Sequence, residues 1–103
     1  MTVGAWLRER APAPPELTAR IAEVASARLD AASDAAAGIF LEAAEQLLEE
    51  LIARSSAGRE LALDLLTVDA LTTYAFEAAS AIPESVPARA SDAMRRFARI
   101  AVA

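Results

Sequence analysis

Residues 61–82, with the sequence LALDLLTVDALTTYAFEAASAI, have the composition of a helix that is apolar on almost every side. A helix with one neighbour needs a single apolar stripe, whereas a helix that is apolar all round must be covered on several sides. The segment therefore predicts either the central helix of a bundle or a helix buried between two subunits. It does not point to any reaction.

The composition of the whole chain predicts an all-α fold. Alanine, leucine, glutamate and arginine, which are strong helix formers, dominate the sequence, and glycine is scarce. The β-branched and aromatic residues are too few and too scattered to form a sheet. Alanine alone makes up more than a quarter of the residues. Because alanine buries little area, association with a second copy becomes more favourable.

Capping and proline signals divide the chain into one short helix and four longer ones. Thr2 is predicted to cap the short helix at residues 3–10, and the prolines of residues 11–15 predict an extended connector. The longer helices are predicted at about residues 15–30, 34–54, 57–82 and 87–102, with Ser33 as the cap of the third. Short connections favour antiparallel neighbours. The prediction is one domain, residues 1–103, folded as a compact antiparallel bundle of four main helices with the short helix across one end.

The larger apolar side chains are predicted to form the core of this bundle. In the fourth helix they include Leu65 and Phe76. The last helix is predicted to bury one face with helical spacing, made by Ala90, Ala93, Met94, Phe97, Ile100 and Ala101.

The absence of histidine and cysteine excludes disulfides, thiol chemistry and most transition-metal sites. It also removes most pairs of nucleophile and base. Glu42, Glu45 and Glu49 have helical spacing, but no imidazole accompanies them, so they predict a solvated acidic face. The three glycines stand alone, so no glycine-rich phosphate loop is present. We therefore predict no catalytic residue, no cofactor and no metal site.

The charge and hydropathy of the chain argue against several classes of partner and location. The net charge of −5 argues against a binder of nucleic acid or anionic membranes. Asp64, Asp69 and Glu77 argue against a membrane span at residues 61–82, because an acidic residue near the centre of a spanning helix costs about 2.5–3.5 kcal/mol. The first residues lack the basic region and apolar run of a secretory signal. We expect a soluble cytoplasmic protein.

One candidate site is a polar and aromatic cluster in the middle of the fourth helix, made by Asp69, Thr72, Thr73, Tyr74 and Phe76. The hydroxyls of Thr72 and Thr73 lie one turn from Asp69 and can satisfy its carboxylate if the carboxylate is buried. The first interpretation of the cluster is a polar contact with a neighbouring helix, in which Asp69 forms an ion pair with an arginine such as Arg95 or Arg96. A raised pKa of a partly buried carboxyl group would instead indicate a functional role.

The other candidate site is a basic face on the last helix, made by Arg89, Arg95, Arg96 and Arg99. Phosphate binding is one interpretation of these guanidinium groups. No aromatic residues alternate with them to stack on bases, and the third helix is acidic where this one is basic. We therefore favour charge complementarity between helices, within one chain or across a dimer.

Residues 69–77, with the sequence DALTTYAFE, resemble a helix of the all-α trans-prenyl diphosphate synthases, in which a similar D-A-L-L-T-x-A-F-E phrase occurs. The aspartate-rich metal and diphosphate motifs that define those enzymes are absent from this sequence, and the chain is much shorter than they are. The resemblance implies a helix used in bundle or subunit packing. It implies no activity and no residue role.

The favoured function is a non-catalytic protein–protein interaction or assembly module that forms a homodimer. The second hypothesis is a binding module for a small apolar ligand, and it predicts a pocket of some hundreds of Å³ that reaches Tyr74. The third is an enzyme that uses Asp69 or Asp64 as acid or base, and it predicts a buried carboxyl group with a raised pKa.

Overall fold

A computed structural model describes residues 1–54 and 58–102 of the chain. In these two ranges the chain forms α-helices joined by short 3₁₀ turns and contains no β-strand, which confirms the all-α prediction. The helices are α1 (Val3–Arg8), α2 (Pro15–Val24), α3 (Ala36–Ala53), α4 (Arg59–Ala79) and α5 (Val86–Val102). The 3₁₀ turns are Ser26–Arg28, Ser33–Ala35 and Pro83–Ser85.

The first helix starts where the sequence predicts it. The backbone N–H of Ala5 donates to Oγ1 of Thr2 at 3.1 Å, so Thr2 caps α1. The backbone N–H groups of Val3 and Gly4 donate to the carbonyl oxygens of Ala31 and Leu29, at 2.8 and 2.9 Å. These bonds fix the start of α1 to the segment that follows α2.

The same backbone pairing explains why α2 is shorter than predicted. The helix ends at Val24 instead of near residue 30, because the chain passes through a 3₁₀ turn into the segment that accepts hydrogen bonds from α1. Ser33 does not cap α3, because it opens the 3₁₀ turn Ser33–Ala35 and α3 begins three residues later, with Ala35 at its N-cap position. The backbone N–H of Ser33 donates to the carbonyl oxygen of Met1 at 2.8 Å. The predicted bounds 15–30 and 34–54 are wrong by these few residues.

The fourth helix also differs from its prediction, at its C-terminal end. Gly58 precedes it with φ of +76°, and the predicted start at Ala57 lies outside the described residues. The helix ends at Ala79 instead of residue 82, and Pro83 opens a 3₁₀ turn. The backbone N–H of Ile82 donates to the carbonyl oxygen of Ala79 at 3.0 Å, which satisfies this acceptor at the helix end. The hydroxyl of Ser85 donates to the carbonyl oxygen of Ile82 at 2.7 Å.

The centre of the fold is the antiparallel pair of α3 and α4, and α3 is its most deeply buried member. One face of α3 is buried along its whole length, through Ala36, Ala37, Phe40, Leu41, Ala43, Ala44, Leu47 and Leu51. The buried face of α4 is narrower and consists of Asp64, Thr67, Leu71, Ala75 and Ala79. The helix α2 lies against α4, and α5 lies against both α3 and α4.

The prediction that α4 is buried on all sides within one chain is wrong. Leu65 is 48% exposed and Leu66 is 56% exposed, although Asp64 beside them is buried against α2. The alternative, burial of these side chains between two subunits, stays a prediction. Met94, which was expected in the core, is 70% exposed on α5, and Ala101 is exposed as well. Ala93 and Ile100 are buried as predicted.

Three aromatic rings join α1 to the central pair. The ring of Trp6 lies 5.4 Å from that of Phe40 on α3 and 5.9 Å from that of Tyr74 on α4, measured between centroids. The Phe40 and Tyr74 rings are 6.0 Å apart. The short helix therefore packs where α3 begins and α4 ends.

Candidate functional site

The structure does not bring the polar part of the predicted cluster together. Asp69 and Thr73 are exposed on the outer side of α4. The hydroxyl of Thr72 donates to the carbonyl oxygen of Val68 at 2.9 Å. Within the described residues neither threonine hydroxyl reaches the Asp69 carboxylate, so the predicted hydrogen bonds to Asp69 are wrong.

The buried carboxylate of α4 is Asp64, which is 2% exposed. Nε of Arg20 on α2 donates to its Oδ1 at 2.7 Å, and Nη2 of Arg54, at the end of α3, donates to its Oδ2 at 2.8 Å. One aspartate thus ties three helices together. Thr67, one turn later and fully buried, donates its hydroxyl hydrogen to the carbonyl oxygen of Leu63 at 2.8 Å and takes no part in this contact.

The two arginines keep the Asp64 carboxyl group ionised. Burial by itself raises its pKa, but the hydrogen bonds and charges of Arg20 and Arg54 outweigh that effect and hold the pKa below the ordinary value for aspartate. The hydrogen bond to Asp64 in turn raises the pKa of Arg20. A carboxylate of this kind is a poor general acid or base at neutral pH, and its geometry is that of a structural ion pair.

The predicted basic residues of α5 do not form one free face. Arg95 and Arg96 donate to the carboxylate of Asp92, at 3.2 and 2.9 Å, and these contacts outweigh partial burial and lower the pKa of Asp92. Arg96 and Arg99 each approach the carboxylate of Glu45 on α3, at 3.7 Å. Charge complementarity between α3 and α5 is therefore present within the chain. The predicted pairing of Asp69 with Arg95 or Arg96 is wrong.

The fourth member of that set, Arg89, lies near the start of α5. Its Nη1 atom is 3.4 Å from the position that a Cβ atom on Gly38 would occupy. The guanidinium group therefore rests on the first turn of α3, at the other end of the helix from Arg99.

A groove of about 440 Å³ lies between the last turns of α3 and α5. Its apolar floor includes Ile52 and Ile100, of which Ile52 is 59% exposed. Glu49 forms an acidic edge on α3, and Arg96 and Arg99 form a basic edge on α5. We call this surface the α3–α5 groove.

A second groove, of about 370 Å³, lies between α1, the proline-containing connector and α2, and its lining reaches Tyr74 on α4. We call it the N-terminal groove. The pocket that the ligand hypothesis expected near Tyr74 is thus present, but its other walls differ from the prediction. Phe76 packs against the core instead of lining this groove, and Asp69, Thr72 and Thr73 do not line it.

No sequence signal marked the remaining lining of the N-terminal groove. Leu7, Arg8 and Arg10 come from α1 and the residues that follow it, whereas Ile21 comes from α2. These residues are far from Tyr74 in the sequence, and only the folded chain brings them to one surface.

Within residues 1–54 and 58–102, no helix is both long and apolar enough to cross a membrane, and no three acidic, histidine or cysteine side chains are grouped so that they could hold a metal ion. The likeness of residues 69–77 to prenyl diphosphate synthases is not accompanied by a family match. The chain matches no protein-family model, no curated protein and no solved structure.

Proposed function

We propose that the chain is a non-catalytic helical assembly module that pairs with a second copy of itself. The surface that pairs is the end of the fold where α3 and α5 end and α4 begins. The observation that carries the proposal is the exposure of large apolar side chains on neighbouring helices there, since Ile52, Leu65 and Leu66 are each about half exposed or more. Exposed apolar groups that lie together are typical of protein–protein contacts.

The chain's topology supports placing these side chains at one end. Arg54, which directly follows α3, donates to the carboxylate of Asp64 on α4 at 2.8 Å, so the end of α3 lies beside the first turns of α4. The helix α5 runs antiparallel to α4, so Ile100 near its end lies at the same level. Burial of this end between two subunits would also give Leu65 and Leu66 the cover that their own chain does not provide.

The charges of the α3–α5 groove favour a second copy as the partner. Glu49 lies on one edge of the groove and Arg99 on the other. In a dimer with twofold symmetry each surface meets the same surface of its partner, so an acidic edge can face a basic edge in both halves of the contact. Such pairs fix the orientation of the two copies, and the apolar floor supplies most of the free energy.

The non-catalytic part of the proposal rests on the residue types of the chain and on the contacts of Asp64. Histidine and cysteine are absent from the sequence. The buried carboxylate of Asp64 accepts hydrogen bonds from two arginines, Arg20 and Arg54. A small helical protein without a nucleophile–base pair is better suited to binding than to bond-breaking chemistry.

The test is the solution mass measured by light scattering at micromolar concentration. We expect twice the chain mass of 10.8 kDa. Leu66→Glu should give a monomer with unchanged helical circular dichroism, because a buried charge would oppose the contact. Thr73→Glu places the same charge on the outer side of the same helix, two turns away, and should leave the dimer intact. A wild-type chain that remains a monomer throughout the micromolar range would contradict the proposal.

A charge exchange tests the orientation of the two copies. Glu49→Arg and Arg99→Glu should each weaken the dimer, because each places like charges on facing edges. The double variant restores opposite charges across the twofold axis and should regain the dimer. Additive weakening in the double variant would show that these two edges do not face each other.

A further inference from the structure

We infer that the N-terminal groove binds a small amphipathic carboxylate, with a short unbranched hydrocarbon chain and one carboxylate head. The inference rests on the shape, the lining and the charge of the groove. It uses none of the residues that carry the proposed dimer contact.

The walls of the groove are suited to a hydrocarbon chain. Leu7, Pro12, Ile21 and Leu29 supply apolar surface, and Tyr74 closes the inner side with a ring that carries one polar group. The volume of about 370 Å³ lies at the lower end of the range for small-molecule sites, about 300–1,000 Å³. A short acyl chain fits this size better than a peptide helix or a two-chain lipid.

The charge of the lining differs from that of the whole chain. The protein has a net charge of −5, yet the groove is lined by Arg8 and Arg10 and by no aspartate or glutamate. Arg8 is exposed and forms no ion pair with any residue that the structure describes. An apolar groove whose edge carries a guanidinium group without an ion pair among the described residues is complementary to an apolar ligand with an anionic head.

Arg10 supplies a second set of donors. Its guanidinium carbon lies 4.0 Å from the centre of the Trp6 ring, and its contact with Glu77 is long, at 3.4 Å. Its Nε atom is buried without a hydrogen-bond partner in the described part of the chain. A rotation of the guanidinium group toward the groove would exchange its long contacts with the carboxylates of Glu77 and Glu9, at 3.4 and 3.7 Å, for a hydrogen bond to the ligand, because a carboxylate accepts well from arginine.

The experiment is a titration with octanoate, followed by the fluorescence of Trp6, the one tryptophan of the chain, and by calorimetry. The two controls are 1-octanol, which has the chain without the charge, and acetate, which has the charge without the chain. We expect saturable binding of octanoate, about tenfold weaker binding of 1-octanol and no measurable binding of acetate. Absence of octanoate binding at millimolar concentration, or equal binding of octanoate and 1-octanol, would overturn the inference.

Two variant pairs test whether binding occurs in this groove. Ala22→Phe fills the groove from α2, whereas Ala19→Phe places the same ring on α2 outside the lining. The first should abolish octanoate binding and the second should leave it unchanged. Arg8→Gln should weaken binding about tenfold, and Arg95→Gln, an exposed arginine on α5, should have no effect. Equal effects within either pair would show that the ligand binds elsewhere.

The same titration on the Leu66→Glu variant separates this inference from the proposed self-association. The variant should bind octanoate with unchanged affinity, because Leu66 does not line the N-terminal groove. Loss of binding in this folded variant would show that the groove depends on the second copy and would overturn the inference as stated.

Discussion

Nε of Arg20 donates a hydrogen bond of 2.7 Å to Oδ1 of Asp64, and this contact joins α2 to the first turns of α4 across 44 residues of sequence. Arg54 holds the other carboxylate oxygen. Asp64 is therefore the charged group at the centre of a packing arrangement that is mostly apolar and rich in alanine.

Asp64→Asn should lower the free energy of unfolding by about 2–3 kcal/mol. Breaking a fully buried ion pair by removing one partner costs about 3–5 kcal/mol, and the cost is smaller here because both arginines reach solvent. Urea denaturation measures the change. Asp69→Asn, on the exposed side of the same helix, is the matched control and should change stability by less than about 0.5 kcal/mol. Equal effects of the two substitutions would mean that the Asp64 ion pairs contribute nothing.

The free energy of unfolding should depend on pH through the ionisation of Asp64. The pKa of Asp64 is lower in the folded chain than in the unfolded chain, where it is about 3.9, so the unfolded state binds more protons between the two values. The stabilisation is fully present above the unfolded pKa and is lost as the pH falls through the folded pKa. The stability difference between wild type and Asp64→Asn should therefore shrink below about pH 4. A difference that stays constant from pH 7 to pH 2 would be inconsistent with the lowered pKa.

Phe40→Ala should lower the free energy of unfolding by about 3–5 kcal/mol, because the ring is fully buried against the Trp6 and Tyr74 rings and its loss leaves a cavity. Phe76→Ala should cost less, since that ring is only partly buried. Met94→Ala, on the exposed side of α5, should change stability by less than about 0.5 kcal/mol. Thermal or urea unfolding gives the order of the three effects. A larger cost at Met94 than at Phe76 would show that Met94 is covered in solution, as it would be at a subunit contact.

Two glycine-to-alanine substitutions should change the free energy of unfolding in opposite directions. Gly58 has φ of +76° and ψ of −146°, a conformation that a side chain strongly disfavours, so Gly58→Ala should destabilise the chain by about 1–3 kcal/mol. Among the residues that the structure describes, no atom lies within 4 Å of its Cβ position, so the expected cost is one of backbone conformation. Gly38 lies within α3, and its Cβ would meet only the flexible end of Arg89. Gly38→Ala should therefore stabilise the chain by about 0.4–1 kcal/mol, measured by the same unfolding experiments. Equal signs would contradict this account.

The parts of the fold that depend on local sequence were predictable. Helix-forming composition, the Thr2 cap and the prolines define the helices to within a few residues. The errors arise where another part of the chain competes for a backbone group. The end of α2 is an example, since its residues beyond Val24 accept hydrogen bonds from Val3 and Gly4 instead of continuing the helix.

The candidate site was harder to predict, because a helix pattern does not reveal which face its neighbours cover. Asp64 lies seven residues before the buried Leu71, two turns away on the same face, whereas Asp69 points outward. Aligning both aspartates with Leu71 on a helical projection would have selected Asp64. The arginines that bind it, Arg20 and Arg54, come from two other helices, and their convergence depends on the tertiary fold.

The position of Asp64 also has a consequence for the order in which the chain folds. Its contact with Arg54 closes a loop of 10 residues, whereas its contact with Arg20 closes a loop of 44. The longer loop costs about 1.3 kcal/mol more chain entropy to close, since each doubling of length costs about 0.6 kcal/mol. We expect α3 and α4 to form a helical hairpin first, because contacts between consecutive helices are local and form fast. The helix α2 then docks onto a carboxylate that is already held in place, so its arrival completes the core.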